Sequence, residues 1–411
     1  MNQLLPLWQP SATAWADWST VQWALLLATA ALCGYACQRR LGLPKVVGYA
    51  LVGTLAGLLG LGGPLWPLQG PVLFALELGV AVVLFECGAR INARWFLHNP
   101  MVLAQSLLEA GLTYGAVFLT LRALGVESGT ATTVGLITMA ASPVVLTRVV
   151  ADTHAAGPVT DRAVVLATLS TLYALTLSAA QAHTLSSSEH TLWQAITPVL
   201  QVLLVSMAVA ALVLYLPLRL ALRLMSPLSQ NTAILLLSLI TAATACASAL
   251  GGSAPLAALL AGMLLKQLHP RPLPWSERLG TVSTLLAMLM FVLVSTVAAH
   301  APWTGDITLV VLALVVVRLL AKAAGVGLGH WGSGAHWRQA AWTACAMAPL
   351  SAVALLMVVP FSHTAPETGK TIASIALPAI LLMELFGAIA ATWALRRAGE
   401  ARNTQGVRHD A

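Results

Sequence analysis

The sequence predicts an all-α membrane protein of about thirteen transmembrane helices, and three observations carry that prediction. The 411 residues are 58% hydrophobic and only 9% charged, far from the balance of a water-soluble domain. Apolar runs of about 20 residues, long enough to cross a hydrocarbon core as helix, follow one another along nearly the whole chain. The basic residues then fall almost entirely on one side of the topology those runs define.

The chain opens with a polar, Trp-rich segment, 1–20, and the first apolar run begins near Val21. Nothing in this opening has the form of a cleavable leader. The spans are read as 21–37, 45–61, 70–89, 100–121, 130–150, 161–182, 193–216, 229–249, 253–267, 279–299, 307–329, 339–360 and 372–395, followed by a short tail, 396–411. Together 21–395 form one membrane domain. In the second span Gly53 and Gly57 have the small-xxx-small spacing that lets helix backbones approach closely. Gly251-Gly252 makes a very short connection between the eighth and ninth spans.

Of the 21 Lys and Arg residues, all but Arg122, Arg318, Lys322 and Lys370 fall on one side, including Arg39, Arg40, Lys45, Arg90, Arg148, Arg162, Arg338 and the tail arginines. Cytoplasmic loops carry such an excess, so the reading places the N-terminus outside and the C-terminus in the cytoplasm. The net charge of +7 is then a consequence of topology, and no nucleic-acid partner is expected. Trp66, Trp95, Trp193, Trp303 and Trp337 fall at span ends, as an interfacial belt requires.

Two spans are broken near the middle by proline among small and hydroxyl residues, at Met139–Val145 (Ser142-Pro143) and at Met347–Val353 (Pro349, Ser351). Proline removes a backbone donor and frees a carbonyl, which lipid does not tolerate unless other polar groups shield it. The fifth and twelfth spans run in opposite directions, so the breaks are antiparallel. Paired interruptions in an inverted repeat mark the substrate site of a secondary transporter, although single prolines are also common in membrane helices.

Intramembrane charges are functional candidates by default. Arg318 and Lys322, four residues apart, share a helix face, with Lys322 about 6 Å nearer the cytoplasm. Lys322 could instead snorkel to the interface, and Arg318 could belong to an ion pair. Glu77, Glu86, Glu109 and Glu384 are the acidic candidates, with Glu109 and Glu384 deepest and Glu86 near a span end. A carboxyl group among apolar residues retains a proton more readily than one in water, the property a proton carrier needs; the alternative is that one of these acids neutralises Arg318. The sixth span has no central carboxylate. Its Thr168, Thr171 and Ser178 share a narrow sector, able to coordinate a cation, bond across helices or bond the carbonyl one turn back.

The cysteines Cys33, Cys37, Cys87, Cys246 and Cys345 match neither a zinc site nor a disulfide framework. His330 and His336 lack further ligands. No nucleotide-binding or hydrolase motif is present, so no metal, no cofactor and no enzymatic activity are expected.

These residues resemble the cation:proton antiporter-2 (Kef-type, sodium/hydrogen exchanger) family over nearly the whole chain. Leu43 to Gly53 is similar to its "lPxvvGyilaG" segment, and Glu77 to Gly88 to "elGlvlLlFxxG". Ala141 to Val145 resembles its broken-helix motif, Ala257 to Gly262 its "gAFlaGlll", and Arg318 to Gly325 the span with its intramembrane lysine, best matched by Lys322. The resemblance implies an inverted-repeat antiporter fold in which two Pro-broken helices cross. It also implies a dimerisation domain, a moving core and a homodimer in an inner cell membrane.

The implied activity is exchange of Na⁺ or K⁺ for protons by alternating access, with Ser142, Pro143, Ser170, Thr171, Pro349 and Ser351 lining the ion site. Aligned on the sixth span, the family's Asn/Gln-Asp pair falls on Ser170-Thr171. A hydroxyl cannot exchange a proton for a cation near neutral pH. A displaced carboxylate, Glu109 or Glu384, would therefore carry the proton. The alternatives are a non-transporting sensor or partner subunit, and a transporter whose net-positive site takes an anion.

Overall fold

The computed structural model describes residues 14–61, 66–91, 99–184, 192–225, 230–268, 276–301, 303–330, 334 and 336–401. Helices account for nearly all of them, and no strand occurs among the described residues. In chain order they are α1 (Ala14–Ala36), α2 (Lys45–Leu58), α3 (Gly70–Gly88), α4 (Pro100–Ala123), α5 (Ser128–Met139), α6 (Pro143–Thr153), α7 (Pro158–Thr184) and α8 (Leu192–Val209). There follow α9 (Leu216–Leu224), α10 (Gln230–Ala249), α11 (Ala254–Leu268), α12 (Ser276–Ala299), α13 (Gly305–Leu328), α14 (Trp337–Ala346), α15 (Ala352–Thr364) and α16 (Pro366–Arg397). A π-helical segment, Ala210–Tyr215, joins α8 to α9 without interrupting the rod, so that span runs past the 193–216 read from the sequence.

Among the described residues, ten helical segments are long and apolar enough to cross a membrane, and three shorter apolar helices, α2, α11 and α15, accompany them. Burial is inverted relative to a water-soluble protein. Leu32, Leu204, Leu212, Leu312 and Leu320 are exposed on the outside, while Arg318, Lys322, Glu109 and Glu384 are fully buried. Such a surface is stable only against lipid. The chain is a multi-pass membrane protein. Trp66, Trp193, Trp303 and Trp337 flank or begin helices; Trp95 lies outside the described residues.

The helices pack as two bundles. The first holds α1, α2, α3, α10, α11 and α12; the second holds α4, the α5–α6 pair, α7, α13, the α14–α15 pair and α16. Two intimate contacts in the first are α2 on α12 and α3 on α11. If α2 is matched to α11 and α3 to α12, each of these contacts becomes the other. In the second bundle the match of α4 with α13, α5–α6 with α14–α15 and α7 with α16 likewise exchanges contacts, as in α5·α7 for α14·α16 and α7·α15 for α16·α6. The packing therefore repeats, as the sequence reading requires.

Glycine sets the closest approaches. An added Cβ on Gly53 would lie 2.9 Å from Ser295 Cβ, and one on Gly57 2.8 Å from Ala299 Cβ, so α2 lies flush on α12. Gly325 and Gly329 do the same between α13 and α4, where an added Cβ would lie 2.5 Å from Glu109 Cα and 2.6 Å from Gln105 Cγ. That second stripe brings Lys322, one turn before Gly325, against Glu109.

Candidate functional site

The two breaks meet. α5 stops at Met139, and the chain runs extended through Ala140 (ψ 148°) and Ser142 (ψ 102°) before α6 begins at Pro143. Pro143 occupies the first helical position, where its missing N–H costs nothing. Ser142 caps α6 by accepting from Val145 N at 3.3 Å. In the second repeat α14 stops at Ala346, and α15 restarts after an extended Ser351. Ser142 N donates to Pro349 O at 2.8 Å, and the Ser142 and Ser351 hydroxyls are 2.8 Å apart. Ser142, Pro143, Pro349 and Ser351 thus form one crossing of two interrupted helices.

The polar groups of the first break are accounted for one by one, as burial in an apolar medium demands. Arg318 Nε donates to Thr138 O at 2.8 Å and Arg318 Nη2 to Ala140 O at 2.7 Å. Lys322 Nζ donates to Met139 O at 2.9 Å. From α7, Ser170 Oγ accepts from Ala141 N at 3.2 Å, and Thr171 Oγ1 donates to Ala141 O at 2.6 Å. Ser142 O accepts from Leu146 N at 3.2 Å. Arg318 also reaches the second break, where Nη1 donates to Ala348 O at 2.7 Å and Nη2 to Pro349 O at 3.4 Å.

α13 therefore places a guanidinium against the C-terminal ends of both α5 and α14. Those ends carry unpaired carbonyls and the negative pole of the helix dipole. The planar guanidinium has enough donors, fixed in a fork, to serve both ends at once. Its charge is met by carbonyls and not by a carboxylate: Glu109, a candidate counter-ion, pairs with Lys322.

The sequence-read residues divide clearly. Ser142, Pro143, Ser170, Thr171, Pro349, Ser351, Arg318 and Lys322 are together at the crossing, and Glu109 joins them through Lys322. Thr113 Oγ1 adds a hydrogen bond to Glu109 Oε1 at 3.3 Å. Glu384 is not bonded to either basic residue; Ser295 donates to its Oε2 at 2.9 Å. Glu86 lies away from the crossing, 3.8 Å from Arg148. Of the hydroxyls in the sixth span, Thr171 bonds across helices, while Thr168 bonds Val164 O one turn back at 2.7 Å and Ser178 lies 3.5 Å from Leu175 O. Sequence reasoning missed the glycine stripe of α13 and Gln105, whose Nε2 donates to Val326 O at 2.9 Å. The i, i+4 spacing of Gly325 and Gly329 was the available signal.

The ends of the seam between the bundles differ. On the side marked by the basic residues, Asp152 of α6 accepts from Lys45 N of α2 at 2.8 Å and lies 3.9 Å from Lys45 Nζ. There also Arg148 reaches Ser283 of α12, and Arg396 donates to Gly42 O. On the opposite side lies a cavity of about 350 Å³ lined by Glu77 of α3, Ser178 and His183 of α7, Ser253 at the α10–α11 turn, and Leu356 and His363 of α15. Leu356 is about one turn beyond Ser351, so the cavity descends toward the crossing.

The family model "Sodium/hydrogen exchanger, transmembrane" matches residues 27–397. The chain belongs to the sodium/hydrogen exchanger family. Two structures of the sodium proton antiporter MjNhaP1 from Methanocaldococcus jannaschii share its fold. One, at pH 8, superposes with a TM-score of 0.67 at 15% identity, covering 94% of this chain and 99% of that one. The other, from electron microscopy, gives 0.74 at 14% identity, covering 96% and 100%. No curated protein sequence matches the chain. Family and fold are those of a transporter, and the exchanger family supports cation:proton antiport.

Proposed function

We propose that this protein is a secondary antiporter that exchanges a monovalent cation, Na⁺ or K⁺, for protons by alternating access, working as a homodimer in an inner cell membrane. The observation that carries the reading is the crossing: two antiparallel interrupted helices hydrogen-bonded through Ser142, Pro349 and Ser351 inside an exchanger fold. The cargo binds beside it, among the hydroxyls of Ser142, Ser351, Ser170 and Thr171. The ion-paired end of the seam and the cavity at the other describe a state closed on the basic, cytoplasmic side and approachable from outside. Motifs from Leu43 to Gly53 and Glu77 to Gly88 support placement in the Kef-type branch. The direct test is proton movement in everted vesicles on addition of Na⁺ or K⁺. Cation-dependent flux is expected; its absence at every pH from about 6 to 9, the range over which exchange is driven by accessible proton gradients, rejects the reading.

One observation favours a second cargo. Arg318 and Lys322 bring two positive charges to the crossing against the single carboxylate of Glu109, so the formal charge of the site is positive and suited to a small anion. Calorimetric titration with small anions against Na⁺ and K⁺ separates the two, because only one class should give a saturable binding isotherm.

A further inference from the structure

An exchanger needs a group that binds the proton, and the crossing itself carries only hydroxyls, Arg318, Lys322 and the already paired Glu109. Glu384 lies in α16 between Met383, whose sulfur is 3.3 Å from Arg318 Nη1, and Gly387. An added Cβ on Gly387 would lie 2.6 Å from Pro349 Cα. Glu384 is thus level with the crossing, within one helical turn of both its Arg318 and its Pro349 contacts. Its carboxyl group faces the other bundle, where Ser295 of α12 donates to Oε2 at 2.9 Å. Oε1 is buried without a hydrogen-bond partner, and the side chain is 0% exposed.

Among the described residues, no Lys, Arg or His lies within ion-pair distance of this carboxyl group. The titratable groups on the elements packed against α16 are otherwise engaged or distant along their helices. Arg318 holds carbonyls of both breaks, and Lys322 holds Glu109. Arg148 and Asp152 on α6, and Lys45 on α2, form the ion-paired end of the seam. Tyr49 on α2 lies one turn from Lys45, and Arg338 starts α14. Cys345 on α14 reaches Ala390 O, and His363 ends α15 at the cavity. Glu277 and Arg278 begin α12, about 25 Å along the helix from Ser295. An ionised carboxylate here would be an uncompensated charge in a low-dielectric interior, the least favourable form of such a group. The geometry fits the neutral acid.

We propose that Glu384 is the proton-binding group of the exchange, and that its hydrogen bond to Ser295 ties the protonated core bundle to the α2–α12 bundle. The proposal rests on the antiport reading. Release moves the acid O–H proton to a water molecule, leaving a carboxylate and a hydronium ion; uptake reverses it. The carboxylate is unstable in an apolar seam, so release requires the bundles to part there and admit water. The negative charge left behind lies on the helix that lines the crossing, next to Met383, whose sulfur touches Arg318, and so makes the crossing more favourable to a cation. Proton loss and cation binding are thereby linked through one group.

Glu384→Gln mimics the protonated acid in size and still accepts from Ser295. In lipid-reconstituted wild-type protein at neutral pH, infrared spectroscopy should show a protonated carboxylic acid band that is missing from the Gln variant. In vesicles the variant should lose cation-coupled proton flux, while its cation binding persists and ceases to depend on pH. Ser295→Ala should keep flux and shift its pH midpoint. An ionised Glu384 in the infrared spectrum, or unchanged flux and pH profile in Glu384→Gln, overturns the proposal. An unshifted profile in Ser295→Ala overturns the tie between bundles. Absence of cation-coupled flux in the wild type defeats the antiport reading itself, a distinct result.

Discussion

Glu109 and Glu384 are carboxylates of the same length, both fully buried in apolar helices, yet their surroundings assign them opposite characters. Glu109 meets Lys322 across the closest approach of α4 and α13, and that cation also holds Met139 O. Glu384 has a single serine hydroxyl. The first is paired with a cation and the second with a neutral hydroxyl. Depth in the membrane, the property a sequence reveals, does not distinguish them; the partner does.

The contrast is broken most severely by removing one charge of the pair. Glu109→Gln leaves Lys322 buried without a counter-ion and should destabilise the protein by about 3–5 kcal/mol. Thermal unfolding in detergent would register it, and adding Lys322→Met should recover most of the loss. Arg318→Lys comes next. One ammonium cannot span both half-helix ends, and each buried carbonyl left bare costs about 1–3 kcal/mol. The melting temperature should fall and transport should be lost. Thr171→Val removes the hydroxyl bonded to Ala141 O and should cost about 1 kcal/mol in the same unfolding assay. Glu384→Gln is the smallest in stability, within about 1 kcal/mol of wild type, because it orphans no charge. If it destabilises as much as Glu109→Gln, the carboxylate is ionised and the contrast between the two acids collapses.

The helices, their order and the location of the breaks were legible because each is written locally. An apolar run of adequate length is a span, and Pro143 and Pro349 announce an interruption at their own positions. The meeting of the breaks is what the family resemblance implies; antiparallel direction by itself only permits it. What joins Glu109 to Lys322, 213 positions apart, was not legible, since pairing of acids with bases depends on which helix faces which. Ser170 and Thr171 were read as ion ligands from their alignment. Their hydroxyls also bond the backbone of Ala141, a further demand, created by the break 30 residues away, that the alignment does not reveal. An ion pair with a carboxylate is one of the roles the sequence leaves open for Arg318. That carbonyls of two helix ends could serve instead follows only from the three-dimensional crossing.

The cavity beside Glu77 and His183 ends about a turn short of Ser351, while ion pairs seal the other end of the seam. If electrolyte fills that cavity, it extends the potential of its bath inward, and the transmembrane voltage would then fall across the remainder instead of across the full bilayer. A unit charge crossing the full drop gains about 2.3 kcal/mol per 100 mV, and the steeper gradient delivers that energy over a shorter path. Arg318 stands at the edge of this region on the bundle expected to move. Rocking that bundle would carry a fixed charge through a focused field, making the turnover of even a one-for-one exchange sensitive to membrane potential.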